Sequence, residues 1–316
     1  MEKLMVSHSP HIQHEDTSRS IMVDVIIALA PIAVAGCILF GWKAAMLTAI
    51  CVVSAVLTEY VCCKIMKRAN SIGDCSAAVT GLILAMNLSP ATKWWMAIIG
   101  SVVAIAVVKM MFGGLGHNFA NPAITARIVL LVSFPSAMTT WVAPLGAAKL
   151  ETSATDVTAI ATPLSDAALS SGAYSYRQLF MGVVPGSIGE TFSLLIILGA
   201  LYLFARRVIS PVTPFAMVGT VAVMSFVFGQ DPLYMVLSGG LLFGAVFMAT
   251  DYVTSPINWK GKLIFGIGCG LLTSLIRKFG YMPEGVSYAI LLMNLLVPYI
   301  NKITVPKPFG WEAAKK

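Results

Sequence analysis

Apolar residues in this chain come in ten runs that approach the ~20 residues a helix needs to cross a hydrocarbon core. Five fall at roughly 21–40, 44–63, 75–89, 94–112 and 121–141. The other five fall at roughly 190–205, 212–228, 233–250, 262–279 and 285–301. Between the two sets lies 142–187, rich in Ala, Ser, Thr and Pro. The pattern predicts an all-α integral membrane protein of about ten transmembrane helices. An odd number of helices per half makes the second half run opposite to the first, so the expected architecture is an inverted 5+5 repeat. The corresponding organisation is a polar arm at 1–20, a five-helix repeat at 21–141, a loop at 142–187, a second repeat at 188–303 and a tail at 304–316.

Two of the runs look alike. The third contains Gly81-Leu-Ile-Leu-Ala-Met-Asn-Leu-Ser-Pro90, and the eighth contains Gly244-Ala-Val-Phe-Met-Ala-Thr-Asp-Tyr-Val-Thr-Ser-Pro256. From those prolines the chain runs 22 residues to Phe112-Gly113 and 23 to Phe279-Gly280. Proline cannot continue a helix, and it pushes the residue before it to extended geometry. The third and eighth helices are therefore expected to be short and broken, meeting near the membrane middle. Broken helices at that depth are tolerated only where they line a cavity or are buried in protein.

Composition sharpens this reading. Hydrophobic residues make up 58% of the 316 and charged residues 11%, against roughly 25% charged in soluble domains. Such a chain cannot cover itself with polar groups in water, so lipid is its solvent. The net charge of +7 does not point to nucleic acid, because the basic residues sit in short clusters between apolar runs. With the N-terminus placed in the cytoplasm, fourteen Lys and Arg fall inside, among them Lys64, Lys67, Arg68, Arg206 and Arg207. Six fall outside: Lys43, Lys93, Lys149, Arg177, Arg277 and Lys278. That bias predicts cytoplasmic termini and an external 142–187 loop. The arm holds His8, His11 and His14 but lacks the pattern of a signal peptide. The six cysteines lack iron–sulfur or zinc spacing and read as small core residues.

Few residues carry chemistry on spacing alone. No Gly-x-Ser-x-Gly, P-loop or His-Glu-x-x-His occurs. Gly113-Gly-Leu-Gly-His-Asn118 follows a helix, not a strand, and reads as a tight turn. In Asn121-Pro-Ala-Ile-Thr-Ala-Arg127, Asn121 is the expected cap and Pro122 the first helical residue. Arg127 then lies more than one turn into an apolar helix, where an unpaired charge costs about 2.5 kcal/mol or more. Functional placement, facing the bundle interior, is its expected role. Asp24, Lys109 and Asp251 sit near helix ends, where snorkelling to the interface and function are equally open.

The sharpest segment is Asp156-Val-Thr-Ala-Ile-Ala-Thr-Pro-Leu164, which by itself is a small-residue turn with an available hydroxyl. It belongs to a wider likeness. Ser9-Pro-His-Ile12, Ile21-Met22, Ala28-Leu-Ala-Pro31, Gly113 to Ala123 with Arg127, Ala161-Thr-Pro-Leu164, Gly186-Ser-Ile-Gly-Glu-Thr191 and Ala249-Thr-Asp-Tyr-Val-Thr-Ser-Pro256 follow in order over nearly the whole chain. In these stretches the chain resembles the family of the D subunit of the Rnf electron-transfer complex and its relative, the B subunit of the sodium-pumping NADH:quinone reductase. The resemblance implies FMN joined by a phosphoester to a threonine in a motif similar to Asp-x-x-Ser-Gly-Ala-Thr. Asp156, Ala161 and Thr162 match it; Ala159 and Ile160 stand where Ser and Gly are usual. Thr162 is thus the expected FMN carrier, with Pro163 holding it extended. Amides of the Gly186–Gly189 segment, with Ser187 and Gly189, are candidates to face the phosphate at a helix start, although Glu190 beside them would oppose an anion. The resemblance further implies a subunit of an ion-translocating ferredoxin:NAD+ oxidoreductase in a prokaryotic cell membrane. It would work with the Rnf subunits A, B, C, E and G, and a flavin transferase would load it. Na+ or H+ would move with the electrons, and a second, non-covalent flavin is left open. The competing readings are the quinone-reductase B subunit, from which the short N-terminal arm points away, and a channel or transporter without flavin.

Overall fold

The computed structural model describes residues 17–144, 162–165, 174–280 and 285–306. Asp156, the histidines of the arm and most of the tail lie outside those residues. The regular elements follow the apolar runs. Helix α1 spans Ser18–Phe40, started by a capping box in which Thr17 and Ser20 exchange side-chain and backbone hydrogen bonds. Gly41 at φ +73° turns the chain into α2, Trp42–Ile65. The first half continues with α3, Ser76–Met86, and α4, Trp94–Val102, which passes into a π-helix at Val103–Met110. It closes with α5, Pro122–Ser133. The second half has α6, Ser193–Ala205, and α7, Val212–Val227. Then come α8, Leu241–Phe243 running on as a π-helix at Gly244–Met248, α9, Trp259–Phe279, and α10, Gly285–Thr304. Shorter helical pieces lie at Pro135–Met138, Tyr176–Met181 and Pro232–Leu237.

Helices α1, α2, α9 and α10 are long and apolar enough to cross a membrane alone. The others are shorter. At 1.5 Å per residue, the 11 residues of α3 reach only about half of a ~30 Å hydrocarbon core. This agrees with the expectation of short third and eighth helices. Two apolar runs do not form single helices. The run at 121–141 stops at Ser133, because Pro135 forces Phe134 out of helical geometry (φ −135°, ψ 59°) and starts a new turn. The run at 233–250 is cut after Leu237, where Ser238 is extended and Gly239 takes φ +67°.

The two halves run in opposite senses. Ser18 at the start of α1 shares a cavity with Lys109 at the end of α4 and Leu203 near the end of α6. At the end of α10, Asn301 Oδ1 and Thr304 O accept from Ile257 N and Asn258 Nδ2 ahead of α9, so α9 starts where α10 finishes. At the far end of α9, Arg277 donates to the carbonyls of Met235 and Ser238, next to the pocket that holds Thr162. Both ends of the described chain therefore share one face, called here the terminal face, and Thr162 lies on the opposite face.

Small residues set the helix spacing. A Cβ on Gly266 would come 2.8 Å from Thr213 O, and one on Gly270 would come 2.7 Å from Met217 O. The backbones of α9 and α7 thus touch, as in membrane bundles, where van der Waals contact and not water drives association. The interior is a continuous apolar core with Leu29, Leu47, Leu84, Ile124, Phe243 and Phe265 fully buried. The exterior is apolar as well: Ile38, Trp42, Phe226 and Ile303 are all more than two-thirds exposed. A monomer in water does not tolerate such a surface; a bilayer requires it.

Candidate functional site

Three polar centres interrupt the core. The first surrounds Arg127, which is buried in α5. Asn121 positions α5 by accepting from the amides of Ala123 and Ile124, with Pro122 as first residue, as its sequence predicts. Arg127 then reaches inward. Its Nη1 donates to Asn87 Oδ1 at 3.0 Å and to Ser287 Oγ at 2.9 Å, and stands 2.9 Å from Glu190 Oε1. These oxygens come from the C-cap of α3, the first turn of α10 and the segment before α6. The network continues away from Arg127. Asn87 Nδ2 donates to Ile83 O and to Met248 Sδ at the end of α8, and Asn121 Nδ2 donates to Met248 O. With its amide oriented to suit its neighbours, Asn294 accepts from Asn121 N and donates to Thr254 O, while Thr254 Oγ1 donates to Asp251 Oδ2 at 2.8 Å. Both broken helices thus end in one polar file.

The second centre is the pocket at Thr162. Its lining includes Trp141, Thr162, Gly186, Glu190, Thr191 and Gly239. The segment carrying Thr162 is pinned from both sides. Ser165 donates through N and Oγ to Thr162 O, and Tyr234 Oη donates to Pro163 O at 3.0 Å. Leu164 packs on a small core of Leu179, Val184, Tyr234 and Met235. Gly239 is required twice, by its positive φ and because a Cβ there would lie 2.6 Å from a Leu164 methyl. Thr162 itself is half-buried. Thr191 Oγ1, in the pocket lining, and Ser187 Oγ are buried without a hydrogen-bond partner, and such groups call for a ligand or water. The open volume is about 30 Å³, room for a single small group. A phosphoester on Thr162 fits these surroundings, and the bulk of a flavin ring would lie outside the pocket.

The third centre is a cavity of about 220 Å³ at the terminal face, between α1, α3, α4, α5, α6 and α8. Ser76, Thr80, Lys109, Asn118, Asn121 and Asp251 put polar groups into an otherwise apolar wall. Lys109 does not snorkel. It is fully buried, with Nζ 2.7 Å from Glu59 Oε1 and 2.6 Å from Ser76 Oγ. Its place in the π-helix of α4 is where such irregular turns often mark function.

The sequence-predicted residues divide accordingly. Arg127 and Asn121 belong to the central network, Asp251 joins its end to the large cavity, and Thr162 sits in the outer pocket. Gly189 makes a structural contact instead. Its amide donates to Met86 O at 2.8 Å, while Ile188 N donates to Leu88 O. The Gly186–Glu190 segment thus clamps the end of α3, and among its residues it is Gly186 and Glu190 that line the pocket of Thr162. Asp24 is ion-paired with Arg206 at 3.2 Å and accepts from Tyr202 Oη. The sequence reading missed Glu59, Asn87 and Ser287. A carboxylate in the midst of the apolar α2 was the one available signal, and it names no partner.

An apolar exterior, two broken helices and a buried charged network between cavities on opposite faces define a multi-pass membrane protein with an intramembrane polar site. The model of the NQR2, RnfD, RnfE family matches residues 5–310, and the chain belongs to that family. It is 46% identical to the D subunit of the Na(+)-translocating ferredoxin:NAD(+) oxidoreductase complex of Acetobacterium woodii, over 99% of this chain and 97% of that protein. It is 43% identical to the D subunit of the proton-translocating ferredoxin:NAD(+) oxidoreductase complex of Clostridium ljungdahlii, over 96% of each. It is 40% identical to the D subunit of the ion-translocating oxidoreductase complex of Stutzerimonas stutzeri, over 94% of this chain and 93% of that protein.

Proposed function

We propose that this chain is the D-type membrane subunit of an ion-translocating ferredoxin:NAD+ oxidoreductase, carrying FMN on Thr162 and passing electrons to other membrane subunits while Na+ or H+ crosses. The near full-length identity to subunits of that name carries the assignment. The pocket geometry supports the attachment point. Thr162 lies on a segment pinned by Ser165, Tyr234 and Leu164. The unpartnered hydroxyl of Thr191 can donate to a phosphate oxygen, and Arg127 offsets the charge of Glu190, which would otherwise repel it. The flavin supplies the redox chemistry; this chain supplies position and electrostatics. The large cavity beside Lys109 and Asp251 is the candidate place for a second, non-covalent flavin. The excess of Lys and Arg on the terminal face supports an orientation with both termini in the cytoplasm and Thr162 outside. The subunit acts only within its complex, after a flavin transferase has loaded it.

The test is in-gel flavin fluorescence of the denatured protein, followed by mass spectrometry of the 150–177 peptide. Thr162→Val removes the hydroxyl oxygen and nearly keeps the shape. Fluorescence should vanish while the protein stays inserted. A Val variant that remains fluorescent would move the flavin to another residue, Thr158 first.

A further inference from the structure

Arg127 Nη1 is surrounded in a way that suggests what else could stand there. Three oxygens from three separate elements converge on one nitrogen at 2.9–3.0 Å: a carboxylate from Glu190, an amide oxygen from Asn87 and a hydroxyl from Ser287. All three residues are buried. One anionic and two neutral oxygens form a donor set suited to a hard cation, not to a soft or anionic ligand. The C-termini of α3 and α8 point their negative dipole ends at the same region, through Asn87 and Met248. The polar file runs from this point through Asn121, Asn294 and Thr254 to Asp251 at the large cavity. On the other side Glu190 lines the pocket at the Thr162 face. The cluster is therefore placed between openings on opposite faces.

We propose that Glu190, Asn87 and Ser287 form a monovalent-cation site which the Arg127 guanidinium fills as a tethered counter-ion. A fixed guanidinium bars cations from a route, so this protein is closed to passive flow along the file as long as Arg127 stays in the cage. Withdrawing the guanidinium leaves a carboxylate and two oxygens unpaired in low dielectric, a state that a metal cation stabilises. Glu190 is held in position by Gly240, where a Cβ would collide with Oε1. The site rests on these contacts and not on the flavin. It deepens the ion-translocating part of the proposed function by naming where a cation binds.

The experiment uses the purified protein in detergent, with no electron donor. Arg127→Ser shortens the side chain and frees the cage. Its melting temperature is measured in sodium chloride and in choline chloride at equal ionic strength, across pH 6 to 8. The expected result is a saturable rise with sodium that is absent from wild type and absent from the double variant Arg127→Ser/Glu190→Gln. If Arg127→Ser is too unstable to purify in choline, recovery of folded protein in sodium but not in choline is the supporting result. Equal melting or equal recovery in the two salts overturns the proposal. So does stabilisation that follows pH but not sodium, which would make Glu190 a proton site only. Absence of covalent flavin from the wild-type protein, with the sodium effect intact in Arg127→Ser, would sink the flavin assignment and leave this one standing.

Discussion

Thr162, Arg127 and Lys109 show how differently single residues announce themselves. Thr162 is an ordinary hydroxyl until its neighbours are seen. The Pro163 carbonyl accepts from Tyr234 and Leu164 plugs a small core, so Thr162-Pro-Leu164 is a built mount and not a loose loop. Arg127 is legible from its helix position alone, because a charge in an apolar run must find partners. Which partners, no spacing rule could say. Lys109 is ambiguous in the sequence, at a helix end, and proves to be fully buried against Glu59. A surface pair near the Thr162 mount offers a pH test. Tyr176 Oη donates to Asp231, and this hydrogen bond holds the Asp231 carboxyl below the usual carboxylate range. A depressed carboxyl adds stability above its unfolded value and loses it as pH falls through its folded one. Tyr176→Phe should therefore melt below wild type at neutral pH, by an amount within the small range of surface interactions. The gap should close as pH drops below about 4. A gap that persists unchanged at pH 3 would assign the effect to packing.

Among the elements, the broken helices carry the most meaning. The sequence leads us to expect short α3 and α8, yet α3 ends at Met86, four residues before Pro90, and α8 ends at Met248, eight residues before Pro256, so α8 owes its brevity to the cut at Ser238-Gly239. The cut in 233–250 has a local signal in Ser238-Gly239-Gly240, a turn-prone triplet, which the apolar residues on both sides mask. Gly239 takes a left-handed turn there and lets Leu164 pack against it. Gly239→Ala should strain that turn by roughly 1–2 kcal/mol and push Leu164 away. The expected outcome is a lower fraction of protein with covalent flavin, read by in-gel fluorescence against total protein, with insertion unchanged. Full flavin loading would show that the transferase does not need this mount. The close approach of α7 and α9 at Gly266 and Gly270 belongs to the same scale. Its four-residue spacing is visible in the sequence, but its partner helix is not.

For the whole molecule, the faces matter. Lys43 and Lys93 lie at the Thr162 end of their helices, whereas Lys64, Arg206 and Lys260 lie at the terminal end. The orientation proposed from the charge bias has the richer face in the cytoplasm. In a variant lacking the six native cysteines, Lys43→Cys should react with an impermeant maleimide added outside intact cells, and Arg206→Cys should not. The reverse pattern would invert the molecule in the membrane and place Thr162 inside.

The segment that bears Thr162 stood out through the family resemblance; the sequence by itself determined the solvent, the number of apolar runs, the short third and eighth helices and the inversion of the halves. Each of these follows from local composition, periodicity or proline chemistry, which neighbours in the chain decide among themselves. Only the tertiary structure decided that Arg127 meets Glu190, Asn87 and Ser287, residues 40 to 160 positions away. It also decided that Gly189 clamps α3 and that Glu59 neutralises Lys109. Such pairings arise because a buried charge must be satisfied by whatever the fold brings within about 3 Å, and packing, not sequence distance, chooses that partner.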